Sequence, residues 1–453
     1  MEDRGRWQME CGSRVVSAAA LDSQLSSHKS LATSHDQRET CNMADRDLSR
    51  RGLIGGAIGV AAGTLAVEAG FCAPPQPAVS PPTVPLRIRF RKVAINEASD
   101  FEAASAADVN GDGRLDIVSG DTWYEAPGWK PHKFREIGVW GRGPGSSGYR
   151  ADFADLPVDV NGDGRVDIVS SDYASGEIFW HENAGDSKDL WEKHLIAKPG
   201  SAETSVFAPI LGSPIGQLMQ SARRPPPVCI LPNCGGKVVW YELRKAGKEP
   251  EWIEHIVGTQ GAGHGIGFGD VNGDGKTDLI TPSGWWEQVD AANDKWIWHG
   301  DWSCNPGDLG ISTPTYDFDG DGRNEIVFGS GHHYGVYSLV PTASGKWEQR
   351  TIDNTWSQAH ALILAPLEQR RQPVVLTGKR YLAHDHDDGA QEPLIVCYYR
   401  YNRRAKAWEK VIIDEGTHTG TGLQLTAVDL RRTGRLDLIC PGKSGLYLFE
   451  NHG

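Results

Sequence analysis

One acidic phrase recurs along this 453-residue chain: ADVNGDGRLDIVSG from Ala107, VDVNGDGRVDIVSS from Val158, GDVNGDGKTDLITP from Gly269 and YDFDGDGRNEIVFG from Tyr316. A fifth, worn copy, VDLRRTGRLDLICP, starts at Val428. The leading aspartates fall at 108, 159, 270, 317 and 429, so two gaps are 51 and 47 residues and two, 111 and 112, are about double that. A constant period with two skipped beats means seven units of about 50 residues, two of which have lost the phrase.

The two hidden units are found by their flanks. Strands of the type WEKHLIA (from Trp191), WIEHIVG (Trp252), WEQRTID (Trp347), WEKVIID (Trp408) and the looser KFREIGV (Lys133) close most units. Ser205–Leu243 carries VVWYEL and Ala359–Arg400 carries VVLTG and LIVCYY, both without an acidic loop. Each unit therefore reads as four short strands, A to D, the pattern of a propeller blade. The last unit ends at Gly453 after its third strand, LYLFEN, while Arg89–Ile95 near the other end resembles a fourth strand. The expected fold is all-β: a seven-bladed β-propeller of four-stranded antiparallel blades. Its N-terminal strand completes the last blade, so the ring closes and no sheet edge is left open.

Composition agrees, with 54 Gly and 16 Trp suiting tight turns and flat aromatic packing, and 39% hydrophobic residues sufficing for a core. The formal charge of −13 argues against a nucleic-acid partner. Residues 1–42 are polar and aperiodic, and read as an extension ahead of a true start at Met43. Residues 43–72 read as a Tat-type export signal: Arg50-Arg51 precedes a mildly apolar Gly/Ala-rich run. A short membrane anchor is the competing reading. A lipoprotein at Cys72 is disfavoured because Phe71 stands where a small residue is needed. Residues 73–85 form a Pro-rich linker and 86–453 the propeller, which is expected to be periplasmic or extracellular with no membrane span in the mature protein. Five cysteines in the body imply no complete disulfide framework, although Cys229 and Cys234 are close enough in sequence to pair.

The loops have the chemistry of a calcium site. Ca²⁺ takes six to eight hard oxygens in a flexible cage. Loop positions 1, 3, 5 and 9 supply Asp108, Asn110, Asp112 and Asp116; Asp159, Asn161, Asp163 and Asp167; Asp270, Asn272, Asp274 and Asp278; and Asp317, Asp319, Asp321 and Glu325, with the position-7 carbonyl completing each set. No Glu stands at position 12 and the flanks are strand-like, which excludes an EF-hand. In the fifth copy Arg431 and Thr433 replace ligands, so about four structural Ca²⁺ are expected.

These features resemble the FG-GAP/VCBS repeat family over roughly residues 86–453. The resemblance implies that the loops join strands A and B on one face and stiffen the blades. Residues before strand A and between strands B and C then lie on the opposite, top face. Several histidines fall there: His264, His360 and His418 before strand A, His332, His333, His384 and His386 after strand B. Converging imidazoles suit Zn²⁺ or another divalent transition metal. His181, His194 and His255 read as blade-edge residues. Tyr149, Arg150 and Asp152 occupy the top of blade two, Asp100 and Glu102 that of blade one, and Glu203 that of blade three. Tyr149 and Arg150 are candidates to hold a carboxylate or keto-sugar oxygen, and Tyr149 to act as acid or base. Trp123, Trp285 and Trp286 offer faces for sugar stacking or for packing between blades.

HGIGFGDVNGDG, GWWE, AHDHDDG and THTGTGLQ together resemble the propeller domain of the aldos-2-ulose dehydratase family. That resemblance implies metal-dependent carbon–oxygen lyase chemistry on a keto-sugar or oxidised glycoside, with His264, His360, His384, His386 and His418 as candidate ligands of the metal and His264, His360 and His418 in catalytic roles. Nothing here matches that family's cupin domains. The alternative is a non-catalytic carbohydrate- or protein-binding propeller, integrin-like in its use of the top face.

Overall fold

The structure, a computed structural model, describes residues 77–453 apart from 142–147, 186–189, 213–226, 311, 369–371 and 383–384. The signal segment and His384 lie outside the described residues. Seven four-stranded antiparallel sheets account for almost all of the regular structure. The innermost strands are Ser105–Ala107, Leu156–Val158, Ala202–Phe207, Gly267–Gly269, Thr315–Tyr316, Leu362–Ala365 and Thr426–Val428, for blades one to seven. In blades one to six the four strands follow one another in sequence. In blade seven the outer strand is Phe90–Asn96, paired with Leu446–Asn451 in the register Phe90↔Asn451 to Ala94↔Tyr447. Arg91 reinforces the join, its Nε 2.5 Å and Nη2 2.8 Å from the two Glu450 carboxylate oxygens.

Side chains alternating across each strand give every blade two apolar faces, and the ring buries both. One cluster fills each of the seven junctions. Val158, Val169 and Trp180 meet Ile230, Val239 and Leu243 between blades two and three. Ile117 and Tyr124 meet Ile439 and Leu448 across the closure between blades one and seven. Closing the ring thus completes the apolar burial as well as the hydrogen bonding. The five body cysteines are buried free thiols, so Cys229 and Cys234 do not pair. Among the described residues no helix is long and apolar enough to cross a membrane. Residues 77–85 lie along the outer strands of blades five and six, where Val84 N donates to Lys410 O and Asn354 N to Val79 O, each at 2.9 Å.

Blade one departs from expectation. Its outer strand is Lys130–Lys133, and the segment read as strand KFREIGV turns inward. The cause is Arg135, buried with Nη2 3.0 Å from Asp152 Oδ1 and 2.5 Å from Asp155 Oδ1, while its Nε donates to Gly120 O at 2.8 Å. A short ribbon, Val139–Trp140 paired with Tyr149–Arg150, then leads into blade two.

His181 and His255 are not edge residues: they are 5% and 3% exposed. His255 stacks on Trp240 at 3.7 Å between Glu242 and Asp294, whereas His181 is edge-on to Phe134 and Phe179. Burial, then the positive charge of Arg135, Lys193 and His194, pushes the His181 imidazole down to about 2. The unfolded chain therefore binds the extra proton first, near pH 6.5. Stability from this group is complete above that pH and falls as pH drops, by about 1.4 kcal/mol per unit. Chemical denaturation of wild type and His181→Leu between pH 7 and pH 5 should show a shallower acid slope in the variant. Equal slopes would contradict the assignment.

Candidate functional site

The acidic loops share one local geometry. In blade one, Asp108 Oδ2 accepts Gly113 N at 3.0 Å, Asn110 Oδ1 accepts Asp112 N at 3.0 Å and Asp112 Oδ1 accepts Arg114 N at 2.8 Å. Gly113 has φ +88°, a left-handed turn that a side chain would strain. The loops starting at Asp159, Asp270 and Asp317 repeat this scheme. Asp116, Asp167 and Asp278 also brace their loops: both oxygens of Asp116 accept backbone N–H, from Val109 and Ala126. Each carboxylate oxygen keeps a second lone pair, so bracing does not preclude ligation. Burial, with repulsion from neighbouring aspartates, pushes Asp116 up to about 6, and Asp167, Asp278 and Glu325 to about 7. Asp108 Oδ1 is buried with no hydrogen-bond partner. Asp317, Asp319, Asp321 and Glu325 bring ligand oxygens within 4.8 Å of one another. Such crowding of carboxylates fits a hard divalent cation. In the fifth loop Arg431 Nη2 lies 2.9 Å from Asp437 Oδ1, bringing a guanidinium into the loop.

At the opposite ends of the inner strands, four consecutive blades converge. Glu203 (blade three), His264 (four), His332 (five) and His360 (six) each place one ligand atom within 4.8 Å of the others'. Glu203 Oε2 is 2.7 Å from His264 Nε2, and Glu203 Oε1 is 3.9 Å from His360 Nε2. The ring of His264 lies 4.2 Å from that of His332 and 5.5 Å from that of His360, between centroids. His264 Nδ1 donates to Leu309 O at 3.1 Å, which fixes the ring and turns Nε2 toward Glu203. Asp308 accepts His332 N at 2.8 Å and Ser330 Oγ at 2.9 Å, with His332 Nδ1 3.7 Å away. Gly331 leaves room for the cluster, since a Cβ there would lie 2.6 Å from His264 Cε1 and 3.2 Å from His360 Nε2.

Arg380, following strand B of blade six, reaches across the axis. Its Nε and Nη2 donate to the two Glu102 oxygens at 2.7 and 3.1 Å, and its Nη1 to Glu203 Oε1 at 3.2 Å. Burial alone would raise Glu203, but His264 and then Arg380 outweigh it and hold the carboxyl far below its usual range. Burial likewise disfavours the His264 cation, yet Glu203 more than compensates and raises it. Three imidazoles and a fixed carboxylate, with outer partners orienting them, match the donor set of a divalent transition metal.

The expected residues divide. His264 and His360 belong to the cluster, while His418 and His386 are exposed and lie outside it. Tyr149 adjoins the cluster, its ring 6.0 Å from the Arg380 guanidinium and 3.9 Å from Lys443 Nζ; burial first, then nearby carboxylates, push its phenol up to about 12. Arg150 pairs with Asp100 at 2.7 Å instead of facing the cluster. Trp285 and Trp286 are buried in blade four, stacked on His299 and tilted against Trp298, and Trp123 stacks on His132. All three serve packing. Asp308 and Arg380 were missed by sequence reading. Neither sits in a motif, and Arg380 acts through Glu102 and Glu203 of other blades.

No family model matches the chain, and no curated protein does. Among solved structures it is similar to virginiamycin B lyase from Staphylococcus aureus, at 9% identity over 80% of this chain and 99% of that one, with a TM-score of 0.46. It is also similar to an Agrocybe aegerita lectin recognising non-reducing terminal N-acetylglucosamine, at 15% identity over 81% and 86% of the two chains, with a TM-score of 0.39.

Proposed function

We propose that the chain is an exported, calcium-stabilised propeller of the FG-GAP/VCBS type. On this reading it is a metal-dependent carbon–oxygen lyase acting on a keto-sugar or oxidised glycoside at the top face. The observation that carries the reading is the convergence of Glu203, His264, His332 and His360 from four blades. Glu203, His264 and His360 would hold the metal, leaving a position for substrate. A divalent transition metal there would polarise a carbonyl or hydroxyl oxygen. His332, backed by Asp308, is placed to take the proton from the adjacent carbon. Tyr149, beside Arg380 and kept protonated by its high pKa, would donate to the departing oxygen. Arg380 fixes the Glu203 carboxylate and so acts as a positioning residue.

The test is incubation of the metal-loaded protein with keto-sugars and 3-keto-glycosides, followed by absorbance of the conjugated enone that elimination forms. His332→Gln should keep its metal and lose product formation by about 10²-fold or more, the usual weight of a general base. Undiminished turnover would remove His332 from that role. A protein that binds these sugars without elimination would instead favour the binding-module reading.

In the fifth loop the Arg431 guanidinium, 2.9 Å from Asp437 Oδ1, would stand in for the calcium proposed in the other four. Arg431→Asn with Thr433→Asp restores the ligand set, so calcium stoichiometry by equilibrium dialysis should rise by one. An unchanged count would contradict the substitution of a side-chain cation for the metal.

A further inference from the structure

The strand C residue beside each acidic loop is matched to the loop's third position. The strand B–C registers include Ile117↔Tyr124, Ile168↔His181, Leu279↔Trp286, Ile326↔Leu339 and Leu438↔Phe449. One step further along, the ninth-position acid stands opposite Glu125, Glu182, Glu287, Val340 and Glu450. The third position of the same loops is Asn110, Asn161, Asn272, Asp319 and Arg431. Wherever that position carries a donor the residue is glutamate, and where it is a carboxylate the residue is valine.

The contacts account for the match in blades two and four. Asn161 Nδ2 donates to Glu182 Oε1 at 3.0 Å, and Asn272 Nδ2 to Glu287 Oε1 at 3.4 Å. Their Oδ1 atoms turn into the loops, where they accept Asp163 N at 3.1 Å and Asp274 N at 3.0 Å. Each glutamate is held in turn from the outer strand. His194 Nε2 lies 3.1 Å from Glu182 Oε2, and His299 Nε2 2.7 Å from Glu287 Oε2. These imidazoles stack on Trp180 and Trp285, at 4.4 and 4.3 Å between centroids. In blade three, which lacks the loop, Glu242 keeps its stacked His255 and turns its carboxylate to Arg244 at 2.9 Å. In blade seven Arg431 Nη1 is 3.9 Å from Glu450 Oε2. In blade one Glu125 holds His132, but Asn110 Nδ2 donates to Asp112 at 3.3 Å.

An asparagine ligand has two unlike ends: its oxygen attracts a cation and its NH₂ repels one. A fixed acceptor outside the loop decides which end faces in. A carboxylate has no wrong end, and a second carboxylate beside it would add repulsion. We propose that Glu182 and Glu287 are positioning residues for calcium. Each is clamped by a tryptophan-backed histidine so that Asn161 and Asn272 present oxygen to the cation. The loop of blade five needs no clamp, because Asp319 is charged. The third position and the strand C residue are thus a matched pair. This rests on the reading of the loops as calcium sites.

Exchanging the pair between blades tests it, with calcium bound per chain measured by equilibrium dialysis over a range of free calcium. Glu182→Val should weaken one site about 10- to 100-fold, the usual weight of an outer-shell partner, and leave the others in place. Glu182→Gln, which still accepts from Asn161, should keep most of the affinity. Asn161→Asp/Glu182→Val rebuilds the arrangement of blade five and should recover it, which a merely destabilised blade would not. In blade five, Asp319→Asn/Val340→Glu should bind more tightly than Asp319→Asn alone. An unaltered calcium titration in Glu182→Val, or a loss that Asn161→Asp does not repair, would overturn the pairing. Wild-type protein that binds no calcium would remove the loop reading together with this inference. Calcium binding in the wild type with an indifferent Glu182→Val removes the inference alone.

Discussion

Replacing both His264 and His360 by Ala should abolish tight binding of a transition metal and, with it, any elimination activity. Two of the three ligands assigned to the metal disappear, leaving Glu203 held by Arg380 and the neighbouring His332. Loss of an outer-shell partner alone commonly costs about 10- to 100-fold in metal affinity. Removal of two direct ligands should exceed that, so dialysed protein analysed for metals should fall from about one equivalent of transition metal to none. Calcium should stay unchanged, because the acidic loops lie at the other end of the inner strands. The thermal midpoint should fall even in metal-free buffer, because His360 is fully buried and His264 is the ion-pair partner of the Glu203 carboxylate. A double variant that keeps its transition metal would place the site elsewhere.

Chelation of calcium should have the largest effect on stability. The four loops hold 13 acidic side chains, and the ninth-position carboxylates are buried at the roots of their blades. Without a cation those groups repel and bear the cost of burial, as their upward pKa shifts record. One site saturated at 100 times its dissociation constant contributes about 2.7 kcal/mol. Four such sites in a body of this size correspond to a midpoint shift on the order of 10 °C, taking roughly 2.1 cal/mol/K of unfolding entropy per residue. Differential scanning calorimetry with EGTA, and again after calcium is restored, should display a reversible drop of that size, which magnesium fails to prevent. A midpoint indifferent to EGTA would make the loops plain Asp/Gly turns.

The blades were legible because their signals are local. Acidic side chains two residues apart and a period near 50 need no knowledge of tertiary structure, and the split seventh blade followed from its two ends. The histidine site was half legible. Glu203, His264 and His360 all lie at or just before an inner strand, a position that propeller geometry points at the axis. His332 follows strand B, as expected of the top face, yet so do His386 and His333, which are exposed. Loop length sets His386 apart, eight residues past its strand against three for His332, and the hydrogen bond from His332 N to Asp308 distinguishes His332 from His333. Arg380 was illegible because its partners, Glu102 and Glu203, lie in other blades, and Asp308 because it stands in no motif. The three tryptophans singled out from sequence proved to be packing residues, for burial cannot be read from residue type alone.

X-ray absorption at the edge of the bound transition metal tests the central claim most directly. The wild-type protein should give a shell of N/O scatterers near about 2.0–2.1 Å, the distance of a zinc–imidazole bond, with the outer-shell pattern of at least two imidazoles. That pattern should vanish in His264→Ala/His360→Ala. An oxygen-only shell, or a protein that retains calcium and no other metal after dialysis, would contradict the account.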